Sequence, residues 1–590
     1  MKSIIFKSLI TISIFSSCVI GEEINKENQL QKSKSLSNTW VDNGKLTTLS
    51  KELLDRIKKD KSVAEDLPFY RLYIGVKKDI KKKKISPTLN KKLDKLYYAY
   101  MNYLIEGGID WKSFDKYIET LRKKYDYTVA YEHYKPPYSA KKILNSAKFN
   151  GTFGDIFDNV EPRRFKYHKL KKSLVKFIDI KHSGGWKLAK VNRTLKVGSV
   201  DDAIPIIRKR LKLEGDLNNC SEPMNSTVYD NCMAKAVKRF KLRHGYKGNS
   251  VIDRATRVEF RRPVSYYIKK MRLNLDRIKW SKRDEARVRI ELNIPAFRLY
   301  VYEGKDLVTT MRVVTGKPDH PTPVFSDVMT TIVVNPYWRI PESIVKKEMI
   351  KHLIKNPHYY DKQHKYLYDG WGPEAKRVDP AKVNWRKYAN NKKHIPYHFM
   401  QEPSYKNALG KIKFLFPNKY SVYIHDTPSK RLFFREVRAF SHGCMRIQKP
   451  RELLQALSLF NSNIDVDAIM KRLKTNKNKQ IGLRRRIPVD ITYFTSFVDD
   501  YGNLHFRRDI YGYDRAQLKN YYASSIFKSP KVKDKKEKVN KKSSKSALKN
   551  KEKTKAKKSN SKKVVVKKKS NKKEVAKLKK AAYEVIEIGY

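Results

Sequence analysis

The chain has 590 residues, 40% of them apolar, with 37 Tyr and 24 Phe. That is too long for one hydrophobic core and too apolar for a wholly disordered chain, and it points to about three or four domains. A formal net charge of +71 draws such a protein to polyanions such as nucleic acid, anionic lipid or an acidic wall polymer, although abundant Lys, Asn and Ile are also what AT-rich coding DNA produces.

The chain opens MKSIIFKSLITISIFSSCVIGEE. A basic start at Lys2 and Lys7, a short apolar run, small residues and then Glu22-Glu23 predict a secretory signal over 1–21, cleaved after Gly21. Its apolar run is too short for a membrane span. Cys18 behind Ser16-Ser17 offers a lipoprotein anchor as the alternative, weakened by Phe15 and Val19. No later segment holds 18 uninterrupted apolar residues, so no further span is expected, and the protein is expected in the periplasm or cell envelope. Export implies an oxidising compartment. There Cys220 and Cys232, twelve apart, are a possible disulfide, which leaves Cys444 as the odd thiol among 4 cysteines.

Residues 22–195 are Lys-rich with helical periodicity. Leu93, Leu96, Tyr97, Tyr100, Met101 and Leu104 form one stripe, stopped by Gly107-Gly108. FNGTFGDIF reads as loop, and the region as a mainly helical scaffold. Residues 197–262 read as three helices. The first carries Ile206, Ile207 and Leu211 inward, a Gly turn at Gly245 and Gly248 follows the second, and a short third comes after Asp253. The pattern Ala236-Val237, Phe240, Gly245, Gly248, Val251-Ile252-Asp253 and Thr256 resembles the three-helix peptidoglycan-binding domain; the alternative is a generic helical insert.

From residue 286 the period changes to two. RVRIELNIPAFRLYVYEGKDLVTTMRVVTGK alternates apolar and polar residues about a turn at Glu303-Gly304, and VFSDVMTTIVVNPYWRIP continues the pattern. Residues 338–400 lose it and gain Trp, Tyr, His and Pro. Strands return at IKFLFP, YSVYIHDTP and DITYFTSFVDDYGNLHFR, giving a β-rich domain over 286–516. Residues 528–580 hold 25 Lys and four acidic residues. They cannot bury a core, so 528–590 is expected to be a disordered tail. The fold class expected is multidomain α+β.

The stretch FSHGCMRI raises the question of whether Cys444 is a buried thiol or a nucleophile. His425 ends a strand nineteen residues earlier and can take the thiol proton. Gly443 allows a tight turn whose N–H groups can stabilise an oxyanion. Arg446 suits a substrate carboxylate. Pro450 opens a helix whose N-terminus is expected near the cysteine.

His425, fifteen residues, then Ser441, His442, Gly443, Cys444 and Arg446 resembles the L,D-transpeptidase family, with its YkuD-type catalytic domain. The likeness extends to NIPAFRLYVYEGKDLVTTMRVVTGKPDHPTPVFSD, VVNPYWRIPESI, DPAKVNW, LGKIKFLFPNKYSVYIHDTP and DDYGNLHFRRDIYG. These are similar to the large Gram-negative periplasmic members, with scaffold, inserted peptidoglycan-binding domain and a capping subdomain, here 338–400. The resemblance implies Cys444 as nucleophile on a tetrapeptide stem after its third residue and His425 as base, with the Asp426 backbone carbonyl orienting the histidine. It implies oxyanion N–H groups at His442, Gly443 and Cys444 and pocket positions at Tyr423, Trp338 and Arg446, while Trp371 could close from the cap. D-alanine leaves, a thioester forms, and a second stem's amine gives a 3→3 cross-link. Amide is exchanged for amide, so no cofactor is implied.

Each assignment has a plain rival. Tyr423 and Trp338 can be core residues, and His442 can merely hold the loop. His394 and His398 can lie on the surface of the cap, and no short metal-type spacing supports a metal site. The same Cys and His also suit an L,D-carboxypeptidase or an enzyme attaching protein to the wall. A non-catalytic wall-binding protein is a further alternative. Expected partners are peptidoglycan stem peptides and glycan, and an anionic wall or membrane surface for the tail. Nucleic acid is not expected, since no stacking-domain or groove-helix motif is present. Acceptor and oligomeric state are not legible in the sequence.

Overall fold

The structure is a computed structural model and describes residues 39–523, apart from 219, 221, 283–285, 372–373, 390–392 and the side chain of residue 165. The signal segment with Cys18 and the 528–590 tail lie outside the described residues. The described chain divides into two compact units, residues 39–107 with 136–161, and residues 108–135 with 162–523.

The first unit is helical. Helix α1 (Thr48–Lys59) starts at Thr47, whose side chain accepts the Ser50 N–H. Helices α2 (Tyr70–Lys81) and α3 (Pro87–Ile105) follow. All six stripe residues of α3, Leu93, Leu96, Tyr97, Tyr100, Met101 and Leu104, are buried, because spacings of three, four and seven share one helix face. The chain turns just past Glu106 through Gly107 in the left-handed region. Trp40 packs on Tyr97 at 5.3 Å between ring centroids. In FNGTFGDIF, helix Ala140–Asn150 ends at left-handed Gly151, and Ile156–Asn159 adds one helical turn to what was expected as loop.

In the second unit, α4 (Trp111–Tyr125) is capped by Asp110 accepting the Ser113 N–H. Its buried face of Trp111, Phe114, Ile118 and Leu121 belongs to the same hydrophobic core as the strands described below. That is why 108–135 parts from the rest of the expected scaffold. Helix α5 (Phe165–His182) precedes a three-helix group, α6 (Ile204–Glu214), α7 (Asn231–Arg243) and α8 (Arg254–Phe260), with its own core of Ile204, Ile207, Leu211, Met233, Val237, Phe240 and Phe260. Pro205 starts α6 so that Ile204, Ile207 and Leu211 point inward, while Ile206 is only partly buried. Arg208 and Arg210 are buried as well, paired with Asp230 and, at 2.7 Å, Glu214. A disulfide joins Cys220 to Cys232. Asp253 caps α8 by accepting the Thr256 N–H. Helix α9 (Val264–Lys279) then runs buried, with Arg277 and Lys270 both paired to Asp514 at 2.8 and 3.2 Å.

Among the described residues fifteen strands follow. In chain order they are β1 (Val288–Asn293), β2 (Arg298–Glu303), β3 (Asp306–Gly316), β4 (Phe325–Val334), β5 (Trp338–Arg339), β6 (Lys365–Tyr368), β7 (Arg377–Val378), β8 (His398–Gln401), β9 (Ile412–Leu415), β10 (Ile424–His425), β11 (Ala439–Ser441), β12 (Met445–Ile447), β13 (Lys479–Thr492), β14 (Ser496–Val498) and β15 (Leu504–Phe506). Nine form one sheet in the order β11-β3-β12-β10-β9-β4-β13-β1-β2, and a further β2–β3 pairing closes it into a barrel. Closure removes the free edges. The sheet's apolar face, helix α10 (Pro450–Ser458) and helix α11 (Val466–Leu473) share the core with α4. Strands β14 and β15 form a separate hairpin.

Residues 338–400 hold a hydrophobic cluster of their own. Their sheet runs β5-β8-β6-β7 around Ile340, Leu353, Leu367, Trp385 and Phe399. Their first helical stretch passes from Glu342–Ile344 into π-helix at Val345–Met349.

Candidate active site

Strand register assembles the site. β10 and β12 pair in parallel, Ile424 opposite Met445 and His425 opposite Arg446. Ile424 and Met445 are fully buried in the barrel core. Side chains alternate along a strand, so Tyr423, His425, Cys444 and Arg446 share the other face. β9 pairs antiparallel with β10, Lys413 opposite His425, which brings Lys413 to that face too. Its Nζ lies 3.8 Å from the Tyr423 ring centroid.

His425 is buried. Its Nδ1 donates to the Asp426 carbonyl at 2.5 Å, which leaves Nε2 as the acceptor in that tautomer. Burial, with the nearby Arg446 and Lys413 charges, drives its pKa down to about 3. The ring is therefore neutral at physiological pH. The Asp426 carboxylate is fixed by the N–H groups of Lys411 and Thr427 at 2.9 and 2.7 Å and by Lys430 Nζ at 2.5 Å. Burial also pushes the Cys444 thiol up, and the Tyr423 backbone, Lys413, Arg446 and the Tyr423 hydroxyl pull it back in part. The resting pair is thus thiol and imidazole rather than thiolate and imidazolium. Among the described residues no hydrogen bond joins Cys444 Sγ to His425. Such bonds commonly tighten when substrate arrives.

Three consecutive carbonyls of the Ser-His-Gly-Cys loop are each tied by a hydroxyl. Tyr127 donates to His442 O at 2.6 Å, Thr322 to Gly443 O at 2.8 Å and Ser441 to Cys444 O at 2.6 Å. Thr322 is itself held, its Oγ1 accepting from the Gly316 N–H and its N–H donating to Tyr511. Gly443 sits at φ +99°, where a side chain would be strained. Carbonyl and N–H point opposite ways across a trans peptide. Fixing the oxygens of His442 and Gly443 therefore aims the Gly443 and Cys444 N–H groups away from them. Among the described residues no acceptor meets either N–H, so both are available to an incoming oxyanion.

Arg446 carries no ion pair among the described residues, and its Nε is buried without a partner. It stands as a cation beside the thiol. His442 Nε2 lies 2.7 Å from Glu348 Oε1, on the π-helical turn of residues 338–400. Burial lowers the His442 pKa, against the pull of Glu348. Trp338 lies on β5 under Lys365, 5.5 Å away. Trp371 is stacked on His398 at 4.1 Å and its carbonyl accepts from Arg339, both within residues 338–400. His394 bonds Glu342 at 2.6 Å. Among the described residues no three His, Cys, Asp or Glu are grouped to hold a metal ion.

Helix α10 starts at Pro450, with strand β12 between it and Cys444 in the chain. Sequence reading missed Lys413, Tyr127, Thr322 and Glu348. Lys413 had a local signal, since in IKFL it alternates with Ile412 and Phe414 and so faces with His425. The other three had none.

The YkuD family, described as the L,D-transpeptidase catalytic domain, matches residues 287–480. A curated protein of Haemophilus influenzae named "Putative L,D-transpeptidase" is 32% identical over 226 residues, which cover 38% of this chain; the chain spans 44% of that relative's length. Solved structures with likeness include an L,D-transpeptidase from Mycobacterium smegmatis, 12% identical over 35% of this chain and 58% of its own, TM-score 0.17. Another is the L,D-transpeptidase from Xylanimonas cellulosilytica, 12% identical over 51% of this chain and 99% of its own, TM-score 0.16. Scores so low add nothing to the assignment, which rests on the family match and the curated relative. Residues 287–480 are a YkuD-type L,D-transpeptidase catalytic domain.

Proposed function

We propose that this protein is an exported peptidoglycan L,D-transpeptidase with Cys444 as nucleophile and His425 as general base. The observation that carries the reading is the β10–β12 register, which sets both side chains and Arg446 on one face beside two loop N–H groups that meet no acceptor among the described residues. The neutral imidazole accepts the thiol proton at Nε2 as sulfur attacks the carbonyl of the third stem residue. The tetrahedral oxyanion is met by the Gly443 and Cys444 N–H groups. Collapse breaks the amide to the terminal D-alanine, whose amine takes the proton back from His425. A thioester remains. The acceptor amine attacks it, loses a proton and restores the thiol, so one amide is exchanged for another. Arg446 suits a stem carboxylate. Residues 338–400 act as a cap that keeps water from the thioester, the three-helix group of 197–262 serves wall binding, and the Lys-rich tail holds an anionic surface.

Intact-protein mass spectrometry on residues 22–590 mixed with a disaccharide tetrapeptide tests this, with Cys444→Ala in parallel. A thioester adduct lacking D-alanine, absent from the variant, is expected, together with a dimeric product. Free tripeptide instead of dimer would mark a carboxypeptidase. No adduct and no turnover, with binding to isolated wall intact, would leave a binding protein.

A further inference from the structure

Tyr127 lies far before the matched domain, which begins at residue 287. Its backbone nevertheless runs against the catalytic barrel. Val324 N–H donates to Ala130 O at 3.0 Å, Glu132 N–H to Val324 O at 2.8 Å and Tyr134 N–H to Trp280 O at 2.8 Å. The Glu132 carboxylate takes the Tyr420 hydroxyl at 2.6 Å. Together with the buried face of α4, these contacts fix where the Tyr127 ring enters.

We propose that Tyr127 is a positioning residue for the oxyanion loop, so that the catalytic site takes part of its framework from a segment outside the catalytic domain. The inference rests on Cys444 being acylated as proposed above. Of the loop's peptides, His442–Gly443 is the one free to flip, because glycine adopts either hand of φ at little cost. A flip would swing the His442 oxygen towards the developing oxyanion and remove the Gly443 donor. The Tyr127 hydroxyl at 2.6 Å from that oxygen opposes the flip. Approach from this side is possible only at a glycine, since a Cβ on Gly443 would collide with the Tyr127 hydroxyl. The ring is braced by His320 at 4.6 Å, which meets His442 in turn at 4.9 Å. Burial and the neighbouring Cys444 raise the phenol's pKa, so the hydroxyl stays a donor across the working range.

Tyr127→Phe removes only that donor. A direct oxyanion donor is worth about 10²–10³-fold in rate. Acting one step removed, Tyr127→Phe is expected to slow thioester formation with the disaccharide tetrapeptide about tenfold, with KM changed less than about twofold. Alkylation of Cys444 by iodoacetamide, which forms no oxyanion, is expected at the wild-type rate. Unchanged acylation overturns the proposal, and so does an equal fall in alkylation, which would mean an effect on the thiol itself. If Tyr127→Phe loses the wild-type melting transition, 3-fluorotyrosine at 127 replaces it. With the hydroxyl kept and made a stronger donor, acylation at or above wild type is expected, and a fall overturns the idea. Wild-type protein that forms no adduct would instead count against the proposed activity.

Discussion

Glu348 Oε1 meets His442 Nε2 at 2.7 Å, joining residues 338–400 to the loop that carries Cys444. The two side chains are 50% and 31% exposed, so solvent screens the pair and it adds little to stability. On the proposed mechanism its consequence belongs to closure of residues 338–400 over the thioester. Glu348→Gln is expected to leave acylation within about twofold while raising the ratio of hydrolysis to cross-linking several-fold, read as tripeptide against dimer. An unchanged ratio would separate this contact from water exclusion.

The neutral resting pair has a pH signature. With the His425 pKa down to about 3, its base form is present from about pH 4 upward. The acylation rate should therefore show no inflection near 6.5. Iodoacetamide alkylation of Cys444 should climb steadily from pH 6 to 9, because burial has raised the thiol. A plateau at neutral pH would reveal a preformed thiolate and refute the neutral pair.

Lys413 supplies charge to the sulfur. Its own pKa is pushed down to about 8 by burial, with the proximity of Cys444 opposing. Removing that charge in Lys413→Met is expected to raise the thiol pKa further and to slow alkylation at pH 7 about threefold. Lys413→Arg should keep the wild-type rate. Equal rates in Met, Arg and wild-type proteins would show that the sulfur does not feel this cation.

Buried neutral histidines make the fold acid-sensitive. His244 is buried, its Nδ1 bonded to Phe240 O at 2.8 Å, and burial drives its pKa well below 6.5. The unfolded chain binds the proton more readily, so the stability tied to a neutral ring is whole above about pH 6.5 and falls as pH drops towards the folded value. His425 contributes in the same direction, down to about pH 3. Tm should fall between pH 7 and 5, and less steeply in His244→Phe. Identical slopes would remove His244 from the account.

Deleting residues 528–590 tests the tail. Its 25 Lys over 528–580 are expected to govern salt-dependent adhesion to anionic wall. The shortened protein should bind isolated sacculi less at low salt and acylate at the full rate. Unchanged binding would exclude the tail as the adhesive element.

The sequence alone determined what is written within a few residues. The α3 stripe is legible because spacings of three and four share a helix face, and the barrel strands because alternation sorts Ile412, Phe414, Ile424 and Met445 to the core. The His425–Cys444 constellation was readable as a motif, since the turn at Gly443 needs that residue there. What required tertiary structure lies at long sequence separation. Tyr127 reaches His442, Thr322 holds Gly443 and Glu348 meets His442, and none of these pairings leaves a local trace. Residues 108–135 join the catalytic core through an apolar helix face that looks like any other amphipathic helix. The buried Arg208 and Arg210 are of the same kind. Local periodicity says which face of an element is buried, but which partner buries it is decided by how the chain closes on itself.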